Sequence, residues 1–408
     1  MKAIMRDERE MKYSGVEYLG FIPNDWKVAS AKYFVKISNG SDPKSEGDIP
    51  VYGSGKNSFR TCGEYKEGPA VLLGRKGTID IPQYIDGRYW NVDTAFDVKN
   101  KSGYSLRYYY YLSTCFDYKR YSTQTALPSM TQSNYTDMRI TLPIYFEQQH
   151  IANYLDDRCS KIDAIIAEAK ASIEEYKELK QAVIYEAVTK GLDKNVEMKT
   201  YNDWFDMCPA NWKYEQIRYL YELRDERNFD PLSEVNLISL YTDRGVMQHS
   251  DIEKTSGNKA VTADGYKKVY PEDIVVNIIL CWMGAMGRSE YQGVTSPAYD
   301  VYKPIGESVI CSRYYHYLFR TERFSKKCYT VGRGIMMMRW RTYSSQFKAI
   351  KVPVPTYKEQ VEIANYLDTR TKQIDNLVEE KQSLIADLES YKKSLIYEVV
   401  TGKRKVVA

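Results

Sequence analysis

Apolar residues recur at alternating steps of four and three along two long stretches of this chain. The first stretch runs through Leu155, Cys159, Ile162, Ile166, Ala169, Ile173 and Tyr176. The same frame in the second runs through Leu367, Thr371, Ile374, Val378, Lys381, Ile385, Leu388, Lys392, Leu395 and Val399, mostly apolar. Such a frame, with charged residues between the apolar ones, predicts amphipathic helices that pair as a coiled coil. The expected seam is Leu155, Ile162, Ile166 and Ile173 against Leu367, Ile374, Val378 and Ile385. Lys180 and Lys392 share one frame position. A polar residue there can fix register, but the preferred reading is a seam that frays towards that end. Gly191 and Gly402 follow as stop signals.

The two stretches are copies of one another. Glu147-Gln148-Gln149-His150-Ile151-Ala152-Asn153-Tyr154-Leu155-Asp156 returns as Glu359-Gln360-Val361-Glu362-Ile363-Ala364-Asn365-Tyr366-Leu367-Asp368, and 19 of 43 aligned positions are identical at an offset of 212. A weaker echo precedes each copy, Pro23-Asn24-Asp25-Trp26-Lys27 and Pro209-Ala210-Asn211-Trp212-Lys213. Between echo and helix lie blocks of dissimilar sequence. Short β-prone runs bounded by Gly and Pro, such as Ala70-Val71-Leu72-Leu73-Gly74 and Asp273-Ile274-Val275-Val276-Asn277, mark both blocks as mixed α/β.

The expected fold is therefore α/β (α+β), with two globular domains separated by two long helices. The expected divisions are a first globular domain at 1–143, a central helical region at 144–200, a second globular domain at 201–355 and a C-terminal helical region at 356–408. A helix of this length carries the chain about 65 Å. A parallel partner would need a long return crossover, for which no residues are available. The helices should thus form an antiparallel coiled coil, giving a pseudo-two-fold dumbbell.

Composition removes several functional classes. The 408 residues contain 43% hydrophobic positions, ordinary for a globular protein. No apolar run approaches membrane-spanning length, and the charged N-terminus lacks a secretory signal, so a cytoplasmic protein without membrane partners is expected. Seven scattered cysteines without C-x-x-C fit reduced thiols. Three histidines at unrelated spacings give no metal site. Tyrosine is abundant, with 38 copies, which suits a contact surface and equally suits the codon usage of an AT-rich genome.

The net charge of +4 averages two unlike parts. The stretch Glu147–Leu192 carries −3 and Glu359–Arg404 carries −2, so the rest of the chain holds +9. Basic residues in the blocks sit beside Gly, Tyr or Trp: Lys56 and Arg60, Arg75-Lys76-Gly77, Arg88-Tyr89-Trp90, then Arg333-Gly334 and Arg339-Trp340-Arg341. Arginine grips phosphate or reads guanine, and amides near Gly approach phosphate closely, so these eight residues are the candidate DNA contacts. Taken singly, each is better read as solvated surface; the pattern across both blocks carries the expectation. Met336-Met337-Met338 reads as packing. No P-loop, H-E-x-x-H, G-x-S-x-G or Asn-Pro occurs. Asp93 and Asp97 read as loop or core-edge carboxylates, so no catalytic residue is expected.

These features resemble the specificity subunit of a type I restriction–modification system. The resemblance spans nearly the whole chain. It rests on Ile22-Pro23-x-x-Trp26, on Leu142-Pro143 before Glu147-Gln148, and on Val354-Pro355 before Glu359-Gln360. It implies two target-recognition domains reading the halves of a split, asymmetric site on double-stranded DNA. It further implies a helical stalk that sets the spacer and docks two modification (methyltransferase) subunits, with two restriction (motor-nuclease) subunits able to join. S-adenosylmethionine, ATP and Mg would belong to those partners and no cofactor to this chain. Two alternatives remain open: the specificity subunit of another restriction class, whose partner fuses methylation and cleavage, and a coiled-coil scaffold without a DNA role. A self-contained nuclease is a more distant possibility.

Overall fold

The structure is a computed structural model. It describes residues 2–101, 103–123, 125–201, 203–249, 262–306, 308–335 and 340–407. The chain divides into two units, Met1–Ala171 with Lys381–Ala408, and Ser172–Glu380. Each holds a mixed α/β head together with the beginning of one long helix and the end of the other.

In the first unit a four-stranded antiparallel sheet runs in the order Gln83–Ile85, Ala70–Gly74, Ala95–Asn100, Val35–Asn39. Ala70–Gly74 is buried at every position, so it reads as a continuous apolar run rather than an alternating one. A smaller four-stranded sheet contains Arg60–Cys62, Ile49–Tyr52, Arg88–Asn91 and Lys66–Glu67. Three short helices follow, Leu106–Ser113, Tyr118–Tyr121 and Gln132–Asp137. Strand Arg139–Leu142 then pairs with Lys27–Ser30 and leads into the long helix Tyr145–Lys190.

The second unit repeats this plan although its block sequence is dissimilar. Its sheet runs Met286–Arg288, Ile274–Asn277, Tyr299–Pro304, Tyr221–Leu223, the same order of corresponding strands. Helices Ser312–Phe319, Glu322–Val331 and Ser344–Phe347 follow. Strand Lys351–Val354 pairs with Lys213–Gln216 and leads into the long helix Tyr357–Val400. The expected α/β class with two heads and paired long helices is what the chain forms.

The seam residues behave unevenly. Leu155, Ile162, Ile166, Ile173, Leu367 and Ile374 are buried, while Val378 and Ile385 are half-buried. Lys180 and Lys392 correct the fraying expectation. Lys392 Nζ lies 2.6 Å and 2.7 Å from the carboxylate oxygens of Asp163 in the first unit. Lys180 Nζ lies 2.7 Å from both oxygens of Asp375 in the second. Both residues of each pair recur at the 212-residue offset, so one ion pair is made twice and ties the helices in an antiparallel register. The lysines are polar because they have a partner across the seam, and the helical pairing does not lapse there.

The duplicated junction has a mechanical meaning. Trp26 Nε1 donates to Glu147 Oε2 at 3.0 Å, and Trp212 Nε1 to Glu359 Oε1 at 3.1 Å. Gln148 accepts from the Ser105 amide at 2.7 Å and donates to the Pro143 carbonyl at 2.9 Å. Gln360 does the same with the Cys311 amide at 2.8 Å and the Pro355 carbonyl at 2.9 Å. Asp156 holds Arg107 Nε at 2.7 Å and the Tyr111 hydroxyl at 2.6 Å. Asp368 holds Arg313 Nη1 at 2.6 Å and the Tyr317 hydroxyl at 2.7 Å. The hydroxyls of Tyr108 and Tyr314 donate to Val400 and Val188 carbonyls, satisfying the last turn of a helix end. Gly191 and Gly402, each at φ +74°, then end the helices in the left-handed conformation. Each head is thereby bonded to both helices at its base.

Candidate nucleic-acid interface

The proposed contact residues fall into distinct neighbourhoods. Arg75 and Lys76 leave the buried strand Ala70–Gly74 at its C-terminal end. Arg75 is half-buried, with its guanidinium 5.9 Å from the Phe96 ring centroid, and Lys76 is exposed. The turn at Gly77 is docked against loop 122–131: the Gly77 amide donates to Pro128 at 3.0 Å and the Met130 amide to Arg75 at 2.9 Å. Clefts of about 390 Å³ and about 360 Å³ flank this junction. Asn39, Arg75, Lys76 and Gln132 line the smaller one together with Phe96 and Met130.

Lys56 stands in an exposed turn after Ile49–Tyr52, at the rim of a groove of about 1400 Å³. Arg107, Lys170, Lys392 and Lys393 also line the groove, but Asp156, Asp163 and Glu389 offset them. Arg60 and Arg88 lie on the smaller sheet and each meets a carboxylate. Arg60 is 2.5 Å from Asp42, and Arg88 is 3.5 Å from Glu67. Both also lie near exposed rings, Phe59 at 5.3 Å and Tyr65 at 4.5 Å. Reaching a phosphate would mean exchanging these exposed pairs, a small cost.

In the second unit Arg333 and Arg341 exchange backbone hydrogen bonds at 2.8 Å and 2.9 Å. Arg333 is exposed and Arg341 half-buried. Trp340 stacks on Tyr329 at 4.9 Å and bonds its carbonyl. Arg339 and the run Met336-Met337-Met338 lie outside the described residues. The structure thus places Arg75 and Lys76 just beyond the buried central strand of the first unit, and Arg333 and Arg341 between the second and third short helices of the second, and sets Lys56, Arg60 and Arg88 on or beside the smaller sheet.

Other candidates resolve into packing. Asp97 is buried, accepts from Tyr89 at 2.8 Å and faces Lys66 at 3.2 Å, while Asp93 is exposed. His316 is half-buried. Burial, then the nearby Arg320 and Arg288, push its pKa down to about 3, and its neutral Nδ1 accepts the Arg288 amide at 3.1 Å. Many tyrosines are interior rather than surface residues, including Tyr89, Tyr104, Tyr108, Tyr109, Tyr135, Tyr302, Tyr314 and Tyr315. Among the described residues no group of three His, Cys, Asp or Glu could hold a metal ion, and no helix is long and apolar enough to cross a membrane.

Sequence reasoning passed over Arg107, Tyr108 and Tyr111 with their counterparts Arg313, Tyr314 and Tyr317. Their signal was present: Arg-Tyr-Tyr-x-Tyr-Leu occurs at 107–112 and again at 313–318. Its offset of 206 falls between those of the two other repeats, because the blocks differ in length.

The family model of the type I restriction modification DNA specificity domain matches residues 23–175 and 241–386. The chain is 24% identical over 426 residues to the type I restriction enzyme MjaVIII specificity subunit of Methanocaldococcus jannaschii, covering 99% of this chain and 89% of that one. It is 23% identical over 397 residues to the EcoDI specificity subunit of Escherichia coli, covering 88% and 85%. A solved chain from work on complex assembly and conformational transition of the type I R-M system superposes with a TM-score of 0.69 at 12% identity, covering 94% and 99%. The HsdS subunit of Thermoanaerobacter tengcongensis gives 0.53 at 12%, covering 94% and 98%. At these identities the structural likeness speaks for the fold.

Proposed function

The chain belongs to the type I restriction modification DNA specificity family, and from that premise we propose how its parts divide the work. The globular regions 1–143 and 201–355 are two target-recognition domains. Each reads one half of a split site on double-stranded DNA, and the halves differ because the loops that face DNA differ. The helical regions 144–200 and 356–408 hold the spacing between the halves and offer a docking surface to two modification subunits, with two restriction subunits joining for cleavage. S-adenosylmethionine, ATP and Mg act in those partners, in the cytoplasm. This chain supplies recognition and no catalytic residue.

The observation that supports this reading most is the contrast between joint and surface. The Trp, Glu, Gln, Asp, Arg and Tyr residues that bond head to helix are the same in both units. The loops at the far end of the buried central strand are not: Arg75-Lys76-Gly77 in one, Ile278-Ile279-Leu280 in the other. A duplicated mount with different tips is what two unlike half-sites require. Phosphate contacts from Lys56, Arg60, Arg75, Lys76, Arg88, Arg333, Arg339 and Arg341 would position the heads, and a minority of side chains would read bases. The target adenine would be flipped into the partner, since a base inside the stack is out of reach.

The test uses the complex of this chain with its modification subunits. Methylation should occur at one bipartite motif and should be lost when either partner is omitted. Methylation by this chain alone contradicts the assignment.

A further inference from the structure

Two large apolar side chains are held in water on corresponding loops of the two heads. Leu127 is 61% exposed and Ile335 is 96% exposed. Leu127 lies in loop 122–131, between the second and third short helices of the first unit; Ile335 lies in loop 332–343, between the same helices of the second. Both loops are pinned at the same point. The residue two before the third helix donates its amide to the first residue beyond the buried central strand. These bonds are Met130 to Arg75 and Thr342 to Ile278, each at 2.9 Å.

Described residues around Leu127 bond to one another. The Thr123 amide donates to Ser129 at 3.1 Å, and the Thr125 hydroxyl donates to the Leu127 carbonyl at 2.8 Å. Gly77, against which the loop docks, has φ +79°, and a Cβ placed there would meet Leu127 Cδ1 at 3.7 Å. Ile335 follows Arg333, whose backbone is hydrogen-bonded to that of Arg341. A leucine and an isoleucine kept out of the core by anchored loops, each beside basic residues, suit a surface that is anionic at its rim and apolar within. A DNA groove has that character, with phosphates at the edge and, inside, thymine methyl groups and base edges.

We propose that Leu127 and Ile335 are specificity-determining residues, each making apolar contact with a base edge in its own half-site. The proposal rests on the DNA-recognition reading and adds the residues that would distinguish bases from those that only grip phosphate. Lys76, exposed beside Leu127, is the phosphate-gripping contrast.

The test compares Leu127→Ala, Ile335→Ala and Lys76→Ala in the complex with the modification subunits. Methylated motifs are read by single-molecule sequencing, and binding to the wild-type site is measured against salt. Leu127→Ala should relax one position of one half-site, its discrimination falling from roughly tenfold toward unity. Ile335→Ala should do the same in the other half only, and neither should change the salt slope. Lys76→Ala should weaken binding to all sequences alike and lower the salt slope by about 1. Unchanged thermal unfolding of the apolar variants would show that the exposed side chains leave folding intact. A motif unaltered in both apolar variants overturns the proposal, as does relaxation in the same half by both. If the wild-type complex shows no bipartite motif, the failure lies in the DNA-recognition reading itself.

Discussion

Glu147 and Glu359 occupy the same place in the repeat but different local settings. Thr356 and Glu359 form a reciprocal cap: the Glu359 amide donates to Thr356 Oγ1 at 3.3 Å, and the Thr356 amide to Glu359 Oε2 at 3.0 Å. Ile144 stands where Thr356 would be, and Glu147 instead takes Arg6 at 3.2 Å. Thr356→Ala should therefore destabilise the second unit by about 1 kcal/mol, seen as a lower denaturant midpoint with unchanged slope. Burial opposes the Glu359 charge, but bonds from Thr356 and Trp212 outweigh it and hold the pKa below the ordinary value. That contribution is present above pH 4.5 and is lost as pH falls. His316 acts in the same direction at higher pH. Its folded pKa lies well below the ordinary 6.5, so stability drains as pH drops from 6.5 towards 3. His316→Asn should flatten the acid limb of the pH–stability curve, and an unchanged limb would rule His316 out as its source. At this scale the sequence was least legible. The basic residues near Gly and aromatics were visible, but not that Arg60 meets Asp42 and Arg88 meets Glu67, since each pair joins residues well apart along the chain.

The long helices were the most legible elements, because a heptad frame is a one-dimensional signal and duplication made it unmistakable. The structure adds why particular residues in the repeat recur. Asp156 and Asp368 each hold an arginine and a tyrosine of the head, so they fasten the head to its helix. Asp368→Ala should cost about 1–3 kcal/mol in the second unit, with Asp156→Ala acting likewise in the first. Chemical denaturation of each variant checks this, and loss of neither unit's stability would deny the clasp. Lys180 could not be told from a fraying seam by pattern alone, since its partner Asp375 is distant in sequence. The exchange pair Lys180→Asp with Asp375→Lys should recover the stability that either single change loses. The pairs are partly exposed, so each is worth under about 1 kcal/mol, and the cycle rather than either single variant carries the information. The heads were legible only as mixed α/β. Their common strand order depends on long-range pairing that dissimilar sequences conceal.

For the whole chain, the central claim is that two unlike heads read two half-sites at a separation set by the helices. Exchanging the block 241–343 for that of a relative should change one half of the methylated motif and leave the other intact. The most direct test is the spacer. One heptad inserted in the middle of each long helix adds about 10 Å of helix, the rise of about three base pairs. With the modification subunits present, genome-wide methylation sequencing should recover the same two half-sites with a longer gap between them. Methylation that persists at the original spacing would contradict the account.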